Sequence, residues 1–203
     1  MKNVEVEVKY RLADADALRQ RLMDAGAKGT GRVFEANSRY DTPDDGIRQA
    51  GCLLRLRKDG KTRLTHKTPH ADTGTDGFKI FRELEVEVSD FDTMDKILHA
   101  LGFQAVQTYE KWRETLHFNG CEICLDTLPY GEFMEIEGEK ARIEEVAALL
   151  GLARKGRIAT NYLSLFEALK TEFDLPFSDL TFDNFSGLAH DFGTVLKRFE
   201  AAG

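Results

Sequence analysis

The chain has 203 residues, with 28 Lys and Arg against 35 Asp and Glu, a formal charge of −7, and 42% hydrophobic residues. This composition is typical of one folded domain with its own hydrophobic core. No segment approaches the roughly 20 apolar residues of a membrane span, and the acidic balance argues against a nucleic-acid partner. Three cysteines, an odd number, do not suit a disulfide framework, so we expect a cytoplasmic protein.

Charged and apolar residues alternate in the first predicted strand, residues 4–11. The spacing puts Glu5, Glu7 and Lys9 on one face of the strand and valines on the other. Similar alternation recurs along the chain, with a hairpin signal at Asp59-Gly60. The further segments with this pattern are 53–57, 63–67, 83–88, 111–113, 121–126 and 135–137.

Apolar residues at helical spacing predict helices between and after these strands. Gly26 and Gly102 are the expected ends of the first two. The predicted helices span about 14–25, 90–101, 143–150 and 160–173, with a last amphipathic helix at 188–199. We expect residues 1–173 to form the main domain and the Phe-rich extension 174–203 to pack onto it.

An internal repeat relates the two halves of the chain. Glu5 and Glu7 lie 80 residues before Glu85 and Glu87, and each pair precedes a helix, a strand and a charged hairpin. The predicted fold is α+β, an eight-stranded antiparallel sheet closed into a barrel, with its charged faces inward and helices packed outside. Because charges do not form a packed core, the interior is expected to be a wet tunnel.

Both signs of charge in one interior indicate a particular class of ligand. Bases hold an anion, and carboxylates hold hard divalent cations such as Mg²⁺ or Mn²⁺, so a triphosphate that arrives with metal fits best. A P-loop or a Rossmann glycine motif is not found in the sequence. The alternative is a set of solvated strand faces with cross-strand ion pairs, which holds if the sheet is open and one-sided.

The segment Glu5-Val6-Glu7-Val8-Lys9 resembles the ExExK motif of the CYTH superfamily, also called triphosphate tunnel metalloenzymes. That superfamily includes class IV adenylyl cyclases, thiamine triphosphatases and inorganic triphosphatases. The resemblance extends, in order, to Arg55 and Arg57 as an RxR strand, Lys67 as the lysine after it, Glu85 and Glu87 as an acidic strand, Lys111-Trp112-Arg113 as a KxR strand, Asp126 with Gly131 to Glu137 as the late Asp…GxFxEIE segment, and Asn161-Tyr162-Leu163 as a helix near the end.

The resemblance implies an eight-stranded tunnel that binds a triphosphate together with two divalent metals, Mg²⁺ or Mn²⁺. By position, the phosphate-binding residues are Lys9, Arg55, Arg57, Lys67, Lys111 and Arg113. The metal ligands are Glu5, Glu7, Asp126, Glu135 and Glu137. The catalytic group is Glu85 and Glu87, which position water or complete the metal site, together with Lys9 and Lys67.

Three functions fit this set of residues. The favoured one is a metal-dependent phosphohydrolase that acts on inorganic triphosphate or on a nucleoside or thiamine triphosphate. The second is a class IV adenylyl cyclase, which uses nearly the same residues to form cyclic AMP and pyrophosphate. The third is a non-catalytic module that binds polyphosphate or a nucleotide. The expected partner is a small-molecule triphosphate, with no nucleic acid and no membrane, and the extension could serve a homodimer.

Overall fold

The computed structural model describes residues 4–72 and 77–200. Eight strands are present: β1 (Val4–Leu12), β2 (Lys28–Asp41), β3 (Leu53–Lys58), β4 (Thr62–Pro69), β5 (Lys79–Val88), β6 (Gln104–Phe118), β7 (Cys121–Leu128) and β8 (Gly131–Glu137). They form a closed antiparallel barrel in the order β1-β5-β4-β3-β2-β6-β7-β8. The predicted fold class is therefore confirmed, and the open one-sided sheet is excluded.

Helices cover the outside of this barrel. They are α1 (Ala15–Asp24), α2 (Gly46–Gln49), α3 (Phe91–Ala100), α4 (Lys140–Leu149), α5 (Tyr162–Phe173), α6 (Phe182–Phe185) and α7 (Phe192–Leu196). Three of the four longer helices begin where side chains satisfy free backbone N–H groups: Asp14, Asp90 and Asn161 accept hydrogen bonds from residues three positions later. Gly26, at φ +97°, follows α1 in the left-handed conformation that its position requires.

Strand alternation separates an apolar outside from a charged inside. Val8, Ile136 and Ile123 face one another across β1, β8 and β7, and all three are fully buried. They pack in one hydrophobic cluster with Leu22 of α1 and Ile143 of α4. The main core thus lies between the barrel wall and its helices, which leaves the barrel interior to charged residues.

A second hydrophobic cluster joins the C-terminal segment to the barrel. Phe166 of α5 and Phe185 of α6 have ring centroids 5.8 Å apart, and both pack with Tyr130 and Leu196. The helix predicted at 188–199 is shorter in the structure: Asp191 caps α7, which begins at Phe192, and a 3₁₀ turn at Lys197–Phe199 follows it directly. The division of the chain at residue 173 stays a prediction.

Within the described residues, no helix combines the length and the apolar character needed to cross a membrane.

Candidate active site

The barrel encloses a charged cavity of about 1220 Å³. All eight strands and the start of α5 contribute side chains to its wall. Of the residues predicted for the site, those that line it are Glu5, Glu7, Lys9, Arg55, Arg57, Lys67, Glu85, Lys111, Arg113, Glu135 and Glu137. The structure therefore brings eleven of the thirteen predicted site residues to one space.

The other two predicted residues do not line the cavity. Glu87 lies on the same face of β5 as Glu85 but near the end of the strand, where its side chain is 56% exposed and pairs with Lys61 at 2.7 Å. Asp126 is fully buried behind the wall. Its carboxylate accepts hydrogen bonds from Arg113 and Tyr162, which leaves it little room to serve as a metal ligand.

Each predicted phosphate-binding base is paired with a carboxylate in this structure. Such pairs are charge-assisted and are stronger inside a protein than in water. The pairs include Lys9–Glu135 at 3.3 Å, Arg55–Glu85 at 3.9 Å, Arg57–Glu85 at 3.3 Å, Lys67–Glu5 at 2.5 Å, Lys111–Asp126 at 3.1 Å and Arg113–Glu135 at 2.5 Å. An anionic ligand would therefore exchange with these carboxylates.

Three carboxylates form a row across neighbouring strands. Glu7 on β1 and Glu122 on β7 both lie directly opposite Glu137 on β8. In the part of the chain that the structure describes, no base forms an ion pair with Glu137. Burial, together with the negative charges of Glu5 and Glu122, raises the pKa of Glu137 to about 8. This row is the most acidic part of the wall.

Lys9, two residues after Glu7 on β1 and directly opposite Glu135 on β8, is held in an unusual environment. Its side chain is 1% exposed, and its ammonium lies 3.5 Å from the centroid of the Tyr162 ring. Burial, followed by the positive charge of Lys79, lowers the pKa of Lys9 to about 7. Lys9 can therefore exist with or without its proton near neutral pH.

Several wall residues were missed by the sequence reasoning. Lys79 pairs with Glu7 at 3.1 Å, and its position on the face of Glu83 and Glu85 was the available signal. Glu35 on β2 does not line the cavity itself, but it is buried next to the wall and pairs with Arg57 at 3.4 Å. Burial alone would raise the pKa of Glu35, but nearby positive charges, that of Lys111 foremost, hold it at about 2. Arg39, Glu122 and Tyr162 also line the cavity and were not assigned to it.

The carboxylates are not gathered into a preformed metal site. Among residues 4–72 and 77–200, no three Asp, Glu, His or Cys side chains are placed to hold a metal ion together. The physical reason is that Lys79 and Lys67 draw Glu7 and Glu5 into ion pairs. The row at Glu137 nevertheless supplies carboxylate oxygens, and within the described residues neither Glu137 nor Glu122 forms an ion pair. Oxygen donors of this kind are the ligands that Mg²⁺ and Mn²⁺ prefer.

The CYTH domain family matches residues 3–159. A Methanocaldococcus jannaschii protein named "putative adenylate cyclase" is 28% identical over 174 residues, which cover 80% of this chain and 98% of that protein. A solved Vibrio parahaemolyticus structure with the same name has a TM-score of 0.74 at 22% identity, covering 83% of this chain and 100% of the other. A Hippeastrum structure, described as a "putative adenylyl cyclase" with a dominant triphosphatase activity, has a TM-score of 0.52 at 19% identity, covering 98% and 97%. The chain therefore belongs to the CYTH domain family and is an enzyme of that family.

Proposed function

We propose that the protein is a divalent-metal-dependent phosphohydrolase that cleaves a triphosphate compound inside the barrel. The observation that carries the proposal is the single cavity in which bases from several strands face carboxylates that include the Glu7–Glu137–Glu122 row. An anion that is bound by basic residues alone would need no such row of carboxylates, whereas a triphosphate bound with a cation uses both signs of charge. Its substrate could be inorganic triphosphate or a nucleoside or thiamine triphosphate.

The residues fit a divalent cation by the chemistry of their donors. Glu7 and Glu137 would hold it, with Glu5 and Glu135 released from their lysine and arginine partners when phosphate binds. Two cations per site, Mg²⁺ or Mn²⁺, are the prediction. When bound, a divalent cation neutralises phosphate charge and makes a water molecule easier to deprotonate. Asp126 would act from behind the wall by fixing the directions of Lys111 and Arg113.

The bases would position the substrate. The planar guanidinium groups of Arg57 and Arg113 can donate paired hydrogen bonds to phosphate oxygens, and the ammonium groups of Lys67 and Lys111 supply positive charge. Lys9, with its pKa near 7, can hold or release a proton beside the phosphates. Phosphoryl transfer depends mainly on such positioning and charge stabilisation, so these residues account for most of the chemistry that the chain itself would perform.

A second candidate is adenylate cyclase activity, which converts ATP to cyclic AMP and pyrophosphate. The Methanocaldococcus jannaschii relative supports it by name. The cavity, at about 1220 Å³, also exceeds the volume of about 300–1,000 Å³ that is usual for small-molecule pockets, so a nucleoside could be held along with the phosphates. A cytoplasmic location and a homodimer stay predictions.

The test is to incubate the purified protein with tripolyphosphate, ATP or thiamine triphosphate and Mg²⁺ or Mn²⁺, and to separate phosphate from cyclic AMP and pyrophosphate. Release of phosphate is expected. Cyclic AMP as the main product from ATP would overturn the hydrolase in favour of the cyclase. A matched pair of variants locates the activity: Arg57→Ala should raise KM, while Arg82→Ala, on the outer face of β5, should not.

A further inference from the structure

Arg39 differs from the other bases of the cavity wall in having no carboxylate beside it. Within the described residues, each other base of the wall lies within 4.0 Å of an acidic side chain, and Arg39 does not. Its Nε–H is buried and has no hydrogen-bond partner. A buried donor that remains unpaired is costly, so a partner supplied by a ligand would stabilise it.

The residue directly across from Arg39 is another arginine. Arg39 on β2 faces Arg55 on β3, and the Nε–H of Arg55 is also buried without a partner. The nearest carboxylate to Arg55 is Glu85 at 3.9 Å. Like charges directly opposite in a sheet are destabilising. On the other side of Arg39 lies Gln107, which is neutral. The pair is thus a local excess of positive charge.

A second pair of opposed arginines shows how the barrel normally handles this arrangement. Arg57 on β3 faces Arg63 on β4, and Asp59 lies between them, 3.3 Å from the first and 2.8 Å from the second. The protein supplies a carboxylate there and none at Arg39. The two N–H groups without partners therefore define a place for an anion that comes from outside the chain.

The position of this pair indicates which anion. Arg39 lies two residues before the end of β2, at the end of the barrel where Leu53 begins β3 and where Val106, near the start of β6, also lines the cavity. A linear inorganic polyphosphate carries negative charge at both of its ends. A nucleoside triphosphate carries an uncharged sugar at one end, and a sugar leaves the two guanidinium groups uncompensated.

We propose that Arg39 and Arg55 form an anion subsite for the terminal phosphate of a linear inorganic polyphosphate, and that Arg39 makes the cavity prefer this class over nucleoside triphosphates. This inference rests on the proposed triphosphate-binding function. Arg39 is here a specificity-determining residue, whereas the remaining bases bind the phosphates that both classes share.

The test measures binding by calorimetry in EDTA, with inorganic tripolyphosphate and with ATP as separate probes. For Arg39→Gln we expect tripolyphosphate affinity to fall about tenfold and ATP affinity to change by less than about threefold. Arg39→Lys should recover part of the tripolyphosphate affinity because it restores the charge. Arg82→Gln, which removes the same charge from the outer face of β5 opposite Val4, should leave both affinities unchanged.

Thermal unfolding separates a binding role from a structural one. Because Arg39→Gln removes a like-charge contact, its melting temperature without ligand should equal or exceed that of the native protein. If Arg39→Gln lowers the affinities for tripolyphosphate and ATP equally, or lowers neither, the subsite is overturned while the proposed function stands. A native protein that binds neither probe in EDTA, and neither binds nor hydrolyses them with Mg²⁺, overturns the proposed function, and the subsite with it.

Discussion

Tyr162 contacts the two sides of the site at once: its ring lies under the ammonium of Lys9, 3.5 Å from ring centroid to nitrogen, and its hydroxyl donates a 2.8 Å hydrogen bond to Asp126. Tyr162 is the first residue of α5, and Asn161 caps that helix. The start of α5 is thereby fixed against the barrel wall. The helix that the sequence placed only near the end of the domain is part of the cavity itself.

We expect Tyr162→Phe to reduce stability by about 1 kcal/mol, because it removes one buried hydrogen bond and keeps the ring over Lys9. Its affinity for tripolyphosphate should fall as well, since Asp126 also orients Lys111. Urea unfolding and calorimetry measure the two effects. Tyr40→Phe is the control, because its hydroxyl donates to Asp95 outside the cavity wall. Equal binding losses in both variants would contradict the role of Tyr162.

Glu85 and Glu87 give a direct test of position. They share a face of β5, but only Glu85 lines the cavity, where it pairs with Arg57 and accepts a hydrogen bond from Thr65 at 2.8 Å. Glu85→Gln should lower kcat/KM by at least about tenfold, an effect of about 1.4 kcal/mol. Glu87→Gln should leave kcat/KM unchanged. An activity loss in Glu87→Gln that matches that of Glu85→Gln would show that the exposed end of β5 takes part in the reaction.

The Lys79–Glu7 pair is buried on both sides, with side chains 9% and 11% exposed. Lys79→Gln alone should destabilise the protein by about 3–5 kcal/mol, because it leaves a buried carboxylate without its partner. The double variant Glu7→Gln with Lys79→Gln should lose much less than the sum of the two single changes. Urea unfolding of all four proteins measures this coupling.

The exposed pair Lys61–Glu87 supplies the control for these Lys79 and Glu7 variants. Its atoms lie 2.7 Å apart, closer than the 3.1 Å of Lys79–Glu7, yet both of its side chains are more than half exposed. Lys61→Gln should therefore cause no measurable loss of stability. Additive effects at Lys79 and Glu7 would refute the buried pair.

Glu137 should make stability depend on pH. Because its folded-state pKa is about 8 against an ordinary value of 4.5, the native state keeps a proton in this range that the unfolded state has lost. Native stability therefore declines as pH rises from about 5 to about 8. Glu137→Gln removes this dependence, so its gain over the native protein should grow across the same range. A difference that is constant with pH in urea unfolding would contradict the shift.

The sequence by itself determined which residues share a face. In β1, β3 and β8, strict alternation of charged and apolar residues was enough to assign Glu7, Arg55 and Glu135 to one side, and burial of the other side confirms it. This works because a strand has a period of two, so the side of a side chain follows from its number alone. The closed barrel was predicted because closure turns the shared charged faces inward, and because the family resemblance implies it.

Other features depended on the tertiary structure. In β2, glycines and register shifts near Gly29 and Arg39 interrupt the alternation, so Glu35 and Arg39 gave no signal. Asp126 and Glu87 lie on the predicted side of their strands but at a different depth from the cavity-lining residues, because one lies behind other side chains and the other near the exposed end of β5. Their functional roles stay predictions.

Depth along the barrel axis and pairing across it are set by strand order and stagger, which a local pattern does not contain. The sequence therefore determined the charge of the interior. Only the closed barrel decided which charges are neutralised, and that no carboxylate of residues 4–72 and 77–200 pairs with Arg39.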